Sequence, residues 1–173
     1  QRVMIEHLPD RLDLIATAEA GRVLRGSVAL AAVERLLPVL TSGQGELQVE
    51  LSLGKDAGGT RFLAGTIEGE VVLRCQRCMQ DMQQPLDIEF RLGLVGDESA
   101  ADKLPDMYEP LEVTAEPAIL ADIIADEVLL ALPIVPLHKG SDECQAIVEA
   151  YQSPQDEQRE NPFAVLAKLK QKQ

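Results

Sequence analysis

Hydrophobic and polar residues alternate along three stretches in the middle of the chain. From Glu46 to Leu53 every second residue is apolar, and apolar residues share one parity through residues 60–75. The cleanest alternation follows Pro85, where residues 86–94 separate apolar from charged side chains. Because side chains of a strand point alternately to its two faces, each stretch predicts a half-buried β-strand. The short connections between them favour antiparallel pairing.

The apolar positions of this alternation predict one buried face of a shared sheet. In the first and third stretches they are Leu47, Val49, Leu51, Leu86, Ile88, Phe90 and Leu92. A short extended run at Leu111 and Val113 predicts a further strand.

Helical spacing of apolar residues occurs in two longer segments, residues 28–40 and 117–131. Pro117 suits the first position of the second helix, and a shorter helix is expected before Gly21. The acidic residues between 97 and 109 predict a solvated, mobile loop.

The whole pattern predicts an α+β fold. An antiparallel sheet or small open barrel would form from residues 46–95 and the strand near 111–113, covered by two to three helices. Residues 1–150 would be a single domain with a CxxC hairpin, and residues 151–173 a flexible polar tail.

The tail itself changes character along its length. Residues 152–160 are polar and predict disorder. They precede a short amphipathic segment that Asn161 can cap. Its apolar edge consists of Phe163, Val165, Leu166 and Leu169. This edge is a candidate contact with a partner if it does not dock on its own domain.

The net charge narrows the range of partners. The chain carries 16 Lys and Arg residues against 29 Asp and Glu, a formal net charge of −13. Such a surface repels a phosphate backbone, which argues against a general nucleic-acid coat protein. The candidate basic contacts are Arg74, Arg77, Lys168 and Lys170, although lysines at a helix end also complement its dipole. We therefore expect any RNA contact to be weak and local.

Neither a membrane segment nor a catalytic motif is visible in the sequence. No apolar run approaches the roughly 20 residues that a spanning helix needs, and the first residues do not resemble a signal peptide. We expect a cytoplasmic protein without membrane contact. Motifs such as GxSxG, HExxH and GxGxxG are absent, and two histidines offer few general acids or bases. These features favour binding over catalysis.

The sharpest chemical signal is the CxxC pair Cys75 and Cys78. Two thiolates at this spacing in a hairpin turn can bind one tetrahedral zinc ion, with His138 and Cys144 as the remaining plausible donors. Two alternatives stay open. The cysteines can be inert, with Cys75 packed in the core, or they can form a redox pair. A redox pair of the thioredoxin type would require a helix after Cys78, where no helical pattern follows.

Four segments in order resemble the YceD family, the large ribosomal RNA subunit accumulation proteins. They are residues 73–78, 108–113, 126–138 and 161–166. Arg35 and Leu36 extend the similarity, so that it spans most of the chain. One such segment alone would be a weak signal, whereas four in the same order are specific.

The resemblance implies a ribosome biogenesis factor that supports accumulation or processing of large-subunit (23S) ribosomal RNA, with no catalytic residue. The implied partner is a large-subunit precursor, a ribosomal protein or a processing protein. Relatives carry further cysteines in a pattern similar to zinc coordination, so zinc is the cofactor to consider. In this chain His138 stands near the place of the first of those cysteines, and Cys144 lies later than the next.

Two other functions remain as alternatives. A thiol oxidoreductase or a nuclease would use the CxxC region. A zinc-stabilised adaptor would present Phe163, Val165 and Leu166 to a groove on a partner.

Overall fold

The computed structural model describes residues 4–5, 8–140 and 142–151 of the 173 in the chain. The strands in this part are β1 (Met4–Ile5), β2 (Arg11–Leu12), β3 (Val23–Ala29), β4 (Glu46–Lys55), β5 (Arg61–Arg74), β6 (Asp81–Val95), β7 (Glu109–Glu112) and β8 (Ala118–Ile119). The helices are α1 (Leu14–Glu19), α2 (Glu98–Ala101), α3 (Leu120–Ala131) and α4 (Asp142–Tyr151), with a 3-10 turn at Leu30–Ala32. No helix of these ranges has both the length and the apolar character needed to cross a bilayer.

Six strands form one open sheet in the order β1-β3-β4-β5-β6-β7, and β2 pairs with β8 in a small separate ladder. β4, β5 and β6 are antiparallel, as predicted. β3 joins them as a further antiparallel strand that was not predicted, whereas β1 and β7 pair in parallel at the two edges. The α+β class is confirmed. The parallel pairing of β7 was not expected, and the connection through residues 96–108 is long enough for the crossover it requires.

One face of this sheet forms the hydrophobic core. Leu51, Gly65 and Phe90 lie opposite one another on neighbouring strands, and directly opposed residues share a face. The neighbouring row is formed in the same way by Val49 and its partners on β5 and β6. All seven apolar residues predicted for this face are buried, so that prediction is confirmed.

Helices α1 and α3 cover the sheet. α1 packs on β4 and β5 and begins after Asp13, whose carboxylate accepts the N–H of Ala16 at 2.9 Å. α3 packs on β6 and buries Ile124 and Val128 completely. The predicted start of α3 at Pro117 is wrong, because the residues after it form β8 and pair with β2.

The helix predicted over residues 28–40 is also wrong. The first of these residues belong to β3, and 3-10 type hydrogen bonds follow, with the N–H groups of Val33 and Leu36 donating to carbonyls three residues earlier. Leu30, Val33 and Leu36 recur at the three-residue period of a 3-10 helix, and all three are 0% exposed. This spacing buries the apolar side chains without an α-helix, which Pro38 would interrupt.

The acidic stretch 97–109 is more ordered than the predicted mobile loop. Asp97 caps α2 by accepting the N–H of Ala100 at 2.9 Å. Tyr108 is buried, stacks on Phe62 and donates its hydroxyl to Asp56 at 3.1 Å. One buried aromatic ring therefore anchors this polar segment to the sheet.

The close packing over Gly65 generates a first prediction. A Cβ atom at this position would lie 2.5 Å from Cζ of Phe90 and 2.8 Å from Cδ2 of Leu51. We expect Gly65→Ala to lower the free energy of unfolding by about 1–3 kcal/mol in chemical denaturation, because the core must shift. Gly96→Ala, where no atom lies within 4 Å of the added carbon, is the matched control. Equal stability of the two variants would contradict the packing.

The buried carboxyl of Glu127 on α3 generates a second prediction. Burial, and then the nearby Glu109 and Asp126 carboxylates, raise its pKa above the ordinary 4.5. The stability that the neutral carboxyl contributes is complete below pH 4.5 and is lost as the pH rises through the folded-state pKa. We therefore expect Glu127→Gln to stabilise the protein at pH 7, with the gain disappearing below pH 4.5.

Chemical denaturation of the wild type and Glu127→Gln, at pH 7 and below pH 4.5, measures the difference in their free energies of unfolding. Glu116→Gln, on an exposed residue before α3, is the control. A gain of the same size at both pH values would show that ionisation of Glu127 is not its cause.

Candidate metal centre

The CxxC pair lies in the turn between β5 and β6. The backbone N–H of Cys75 donates to the carbonyl of Gln80 at 2.9 Å, and that of Met79 donates to the carbonyl of Cys75 at 3.0 Å. Met79 has a φ of 61°, a left-handed conformation in which a side chain is uncommon. These bonds curl the turn around the two thiols, both of which are buried.

His138 reaches the turn from the loop that follows α3. The loop is attached to the turn by the backbone N–H of Gln76, which donates to the carbonyl of Pro136 at 2.9 Å. Nδ1 of His138 then lies 3.4 Å from Sγ of Cys78, and Nε2 lies 3.3 Å from the carbonyl oxygen of Asp81. The carbonyl of Asp81 can accept the Nε2 proton and leave Nδ1 as the donor atom for a metal.

Cys144 comes from the first turn of α4. Its Sγ lies 3.9 Å from Sγ of Cys75, and Nε of Arg77 donates to it at 3.3 Å. A second guanidinium nitrogen of Arg77 donates to the carbonyl of His138 at 3.3 Å. Arg77 thereby connects Cys144 with His138.

The four donor atoms fit one tetrahedral ion. The three sulfurs and the imidazole nitrogen all lie within 4.8 Å of one another. Around a tetrahedral zinc ion, two sulfurs are separated by about 3.8 Å, and a sulfur and a nitrogen by about 3.6 Å. The measured separations of 3.9 Å and 3.4 Å are close to these values. Zinc prefers such a donor set of three thiolates and one imidazole in structural sites.

Electrostatics at the cluster also favour a cation. Burial acts to raise the pKa of Cys75, but hydrogen bonds from the backbone N–H groups of Cys78, His138 and Arg77 outweigh it and lower the pKa to about 5. Burial likewise opposes ionisation of Cys144, and the Arg77 guanidinium reverses the effect and lowers its pKa. The sulfurs of Cys75 and Cys144 raise the pKa of His138. Thiolate is therefore accessible at Cys75 and Cys144, whereas burial raises the pKa of Cys78, whose proton a bound metal ion would displace.

The structure brings together the four residues predicted as metal donors. Arg77 was predicted as a partner or RNA contact, but its guanidinium is hydrogen-bonded within the cluster. Arg74 is exposed, with its guanidinium 3.8 Å from the Asp81 carboxylate. The remaining predicted contacts lie outside the described residues: Phe163, Val165, Leu166, Lys168 and Lys170.

The sequence contained an unused signal for α4. Cys144, Ile147 and Val148 stand at i, i+3 and i+4, the spacing of one helical face, and all three pack on the core. The contacts of the Asp81 and Pro136 carbonyls had no comparable signal, because backbone carbonyls are common to every residue type. The contact of the Arg77 side chain with Cys144 had none either, because it depends on how α4 docks.

The chain is similar to known proteins. The profile of a family described as "Large ribosomal RNA subunit accumulation protein YceD" matches residues 63–170. A protein of Haemophilus influenzae with the same description is 35% identical over 170 residues, which cover 95% of this chain and 97% of the relative. No solved structure matches the chain.

The geometry of the cluster generates a third prediction. We expect protein purified without chelators to contain about one zinc ion per chain, because four suitable donors surround one point. Cys144→Ser and His138→Ala should each reduce the zinc content measured by elemental analysis. Gln76→Ala, an exposed side chain within the same turn, should retain it.

Removal of the ion by a chelator should lower the thermal midpoint of the wild-type protein, because metal binding contributes to folding stability. The inert interpretation of the cysteines would instead yield protein without zinc and no response to the chelator.

Proposed function

Because the chain belongs to the YceD family, we propose that it supports the accumulation of large-subunit (23S) ribosomal RNA. The observation that carries this proposal is the 35% identity over 95% of the chain to a relative named as a large ribosomal RNA subunit accumulation protein. The family profile also spans the CxxC turn, α3 and α4, so the match includes the candidate metal centre. A role in ribosome assembly would place the protein in the cytoplasm.

We propose that the protein acts by binding and not by catalysis. Four protein donors would complete the coordination of a tetrahedral zinc ion, whereas a catalytic zinc keeps one position open for water or substrate. Within the described ranges, the cluster at Cys75 is the one group of three or more metal-donor side chains found close together. This favours a structural ion over the carboxylate-bound metal pair of a nuclease.

The setting of the CxxC pair gives little support to a thiol oxidoreductase. Residues 76–78 form a turn that leads into β6, so the CxxC pair is not followed by the helix that the thioredoxin-type motif requires. The dipole of such a helix is what lowers the thiol pKa in thioredoxin-like motifs. Here the backbone N–H groups of the turn have that effect, in a geometry suited to metal binding.

Charge favours a protein partner over extensive RNA contact. The net charge of −13 repels phosphate, and the guanidinium of Arg77 is occupied by Cys144 and His138. Arg74, at the end of β5, is exposed, and its guanidinium lies 3.8 Å from the Asp81 carboxylate. Few neutralised phosphates mean weak RNA binding with a shallow salt dependence. We therefore propose a large-subunit precursor, reached through a ribosomal or processing protein, as the partner.

Deletion of the gene tests the function. We expect the ratio of mature 23S to 16S ribosomal RNA to fall in the deletion strain, because the proposed role concerns the large subunit specifically. A plasmid copy of the wild-type gene should restore the ratio. An unchanged ratio in cells confirmed to lack the protein would overturn the assignment.

Incubation of the purified protein with precursor RNA separates binding from catalysis. We expect the RNA to stay intact with and without divalent cations. Metal-dependent cleavage that co-purifies with the wild-type protein and is lost in Cys75→Ser would instead favour a nuclease.

A further inference from the structure

An apolar groove lies next to the candidate metal centre. It has a volume of about 550 Å³ and runs between the segment after the 3-10 turn, the end of β5 and the loop that follows α3. Its apolar lining includes Pro38, Val39, Leu73, Leu132, Ile134 and Pro136. Arg74 and Gln76 form a polar edge.

The walls of the groove are fixed by backbone hydrogen bonds. The N–H of Thr41 donates to the carbonyl of Val72 at 2.9 Å, which attaches one wall to β5. The N–H of Gln76 donates to the carbonyl of Pro136 at 2.9 Å, which attaches the opposite wall to the CxxC turn. The groove is therefore formed in advance and needs no rearrangement to accept a segment of chain.

The groove exposes large apolar side chains to solvent. Ile134 is 100% exposed and Val39 is 46% exposed, and Val135, next to Ile134, is 56% exposed. Scattered apolar residues are common on protein surfaces, but a contiguous set around a formed groove is characteristic of a binding surface.

The same chain supplies an apolar segment within reach. α4 begins at the metal centre and ends at Tyr151, and residues 152–160 then contain no aliphatic or aromatic side chain. The next large apolar side chains are those of Phe163, Val165, Leu166 and Leu169. The stretch from Tyr151 to Phe163 can span about 40 Å when extended, at about 3.3 Å per residue. α4 itself is about 15 Å long, so the groove is within this reach.

Charge also favours contact of this segment with the rest of the chain. Residues 161–173 contain three lysines and no acidic residue. Since the whole chain carries −13, the part before residue 161 carries −16. A segment of charge +3 is attracted to a body of this sign, and its covalent attachment provides a high effective concentration.

We propose that residues 161–170 bind in this groove of their own chain, with Phe163, Val165 and Leu166 against Val39 and Ile134. The proposal goes beyond the role in RNA accumulation and does not depend on it. The groove is thereby occupied by the tail in the isolated protein, and the apolar edge of the tail is covered and not presented to a partner.

Comparison of two full-length proteins by 15N NMR tests this contact. One is the wild type and the other carries Phe163→Ser and Leu166→Ser. We expect amide shifts to differ at Val39, Thr41 and residues 133–136 as well as in the tail. A synthetic peptide of residues 161–173, added to the double variant, should move the groove resonances toward their wild-type positions.

A matched pair of surface variants checks that the groove is the site. Ile134→Ser should reduce the peptide-induced shifts severalfold, because it removes the most exposed apolar side chain of the groove. Met107→Ser, at a residue that is 54% exposed outside the groove lining, should leave them unchanged.

Three results would overturn the proposal. They are identical groove shifts in the wild type and double variant, shifts centred on another surface, and a dimer in light scattering that the double variant abolishes. The last result would place the segment on a second copy. All are measured on the purified protein, so they are independent of the RNA ratio that tests the proposed function.

Discussion

The β5–β6 hairpin is the constraint on which the rest of the structure depends. Its register runs without interruption from Phe62 opposite Gly93 to Arg74 opposite Asp81, immediately before and after the CxxC turn. A shift of one residue in either strand would turn the apolar side chains of that strand to the opposite face and remove them from the core. The same shift would displace Cys75 from the end of β5. Core packing and placement of the thiols therefore depend on one set of cross-strand pairs.

The cluster at the end of this hairpin is stabilised by groups from separate parts of the chain. Cys75 and Cys144 are 0% and 1% exposed, and buried thiols ionise only when their charge is compensated. Backbone N–H groups and the Arg77 guanidinium provide part of this compensation. A bound zinc ion would provide the remainder and connect the turn, the loop after α3 and α4 through four bonds.

Local patterns were sufficient to predict the elements whose period is unambiguous. The alternation in residues 86–94 predicted most of β6, and the seven apolar residues of the sheet are buried. The spacing of Leu30, Val33 and Leu36 fits an α-helix and a 3-10 helix almost equally over so short a range, and only tertiary packing decides between them. The approach of Cys144 to Cys75 depends on how α4 docks, and the spacing of His138 and Cys144 along the chain does not encode it.

The arrangement of charge relative to the cluster separates two kinds of surface. The sheet face opposite the core exposes Glu68, Asp87 and Glu89 on neighbouring strands, with Arg91 beside them. This face is unfavourable for a phosphate backbone at any ionic strength where charges are not fully screened. The apolar groove and Arg74 lie instead at the end of the hairpin that carries the cysteines. The apolar groove and the acidic sheet face thus lie in different parts of the fold, and the loop that carries His138 also forms one wall of the groove.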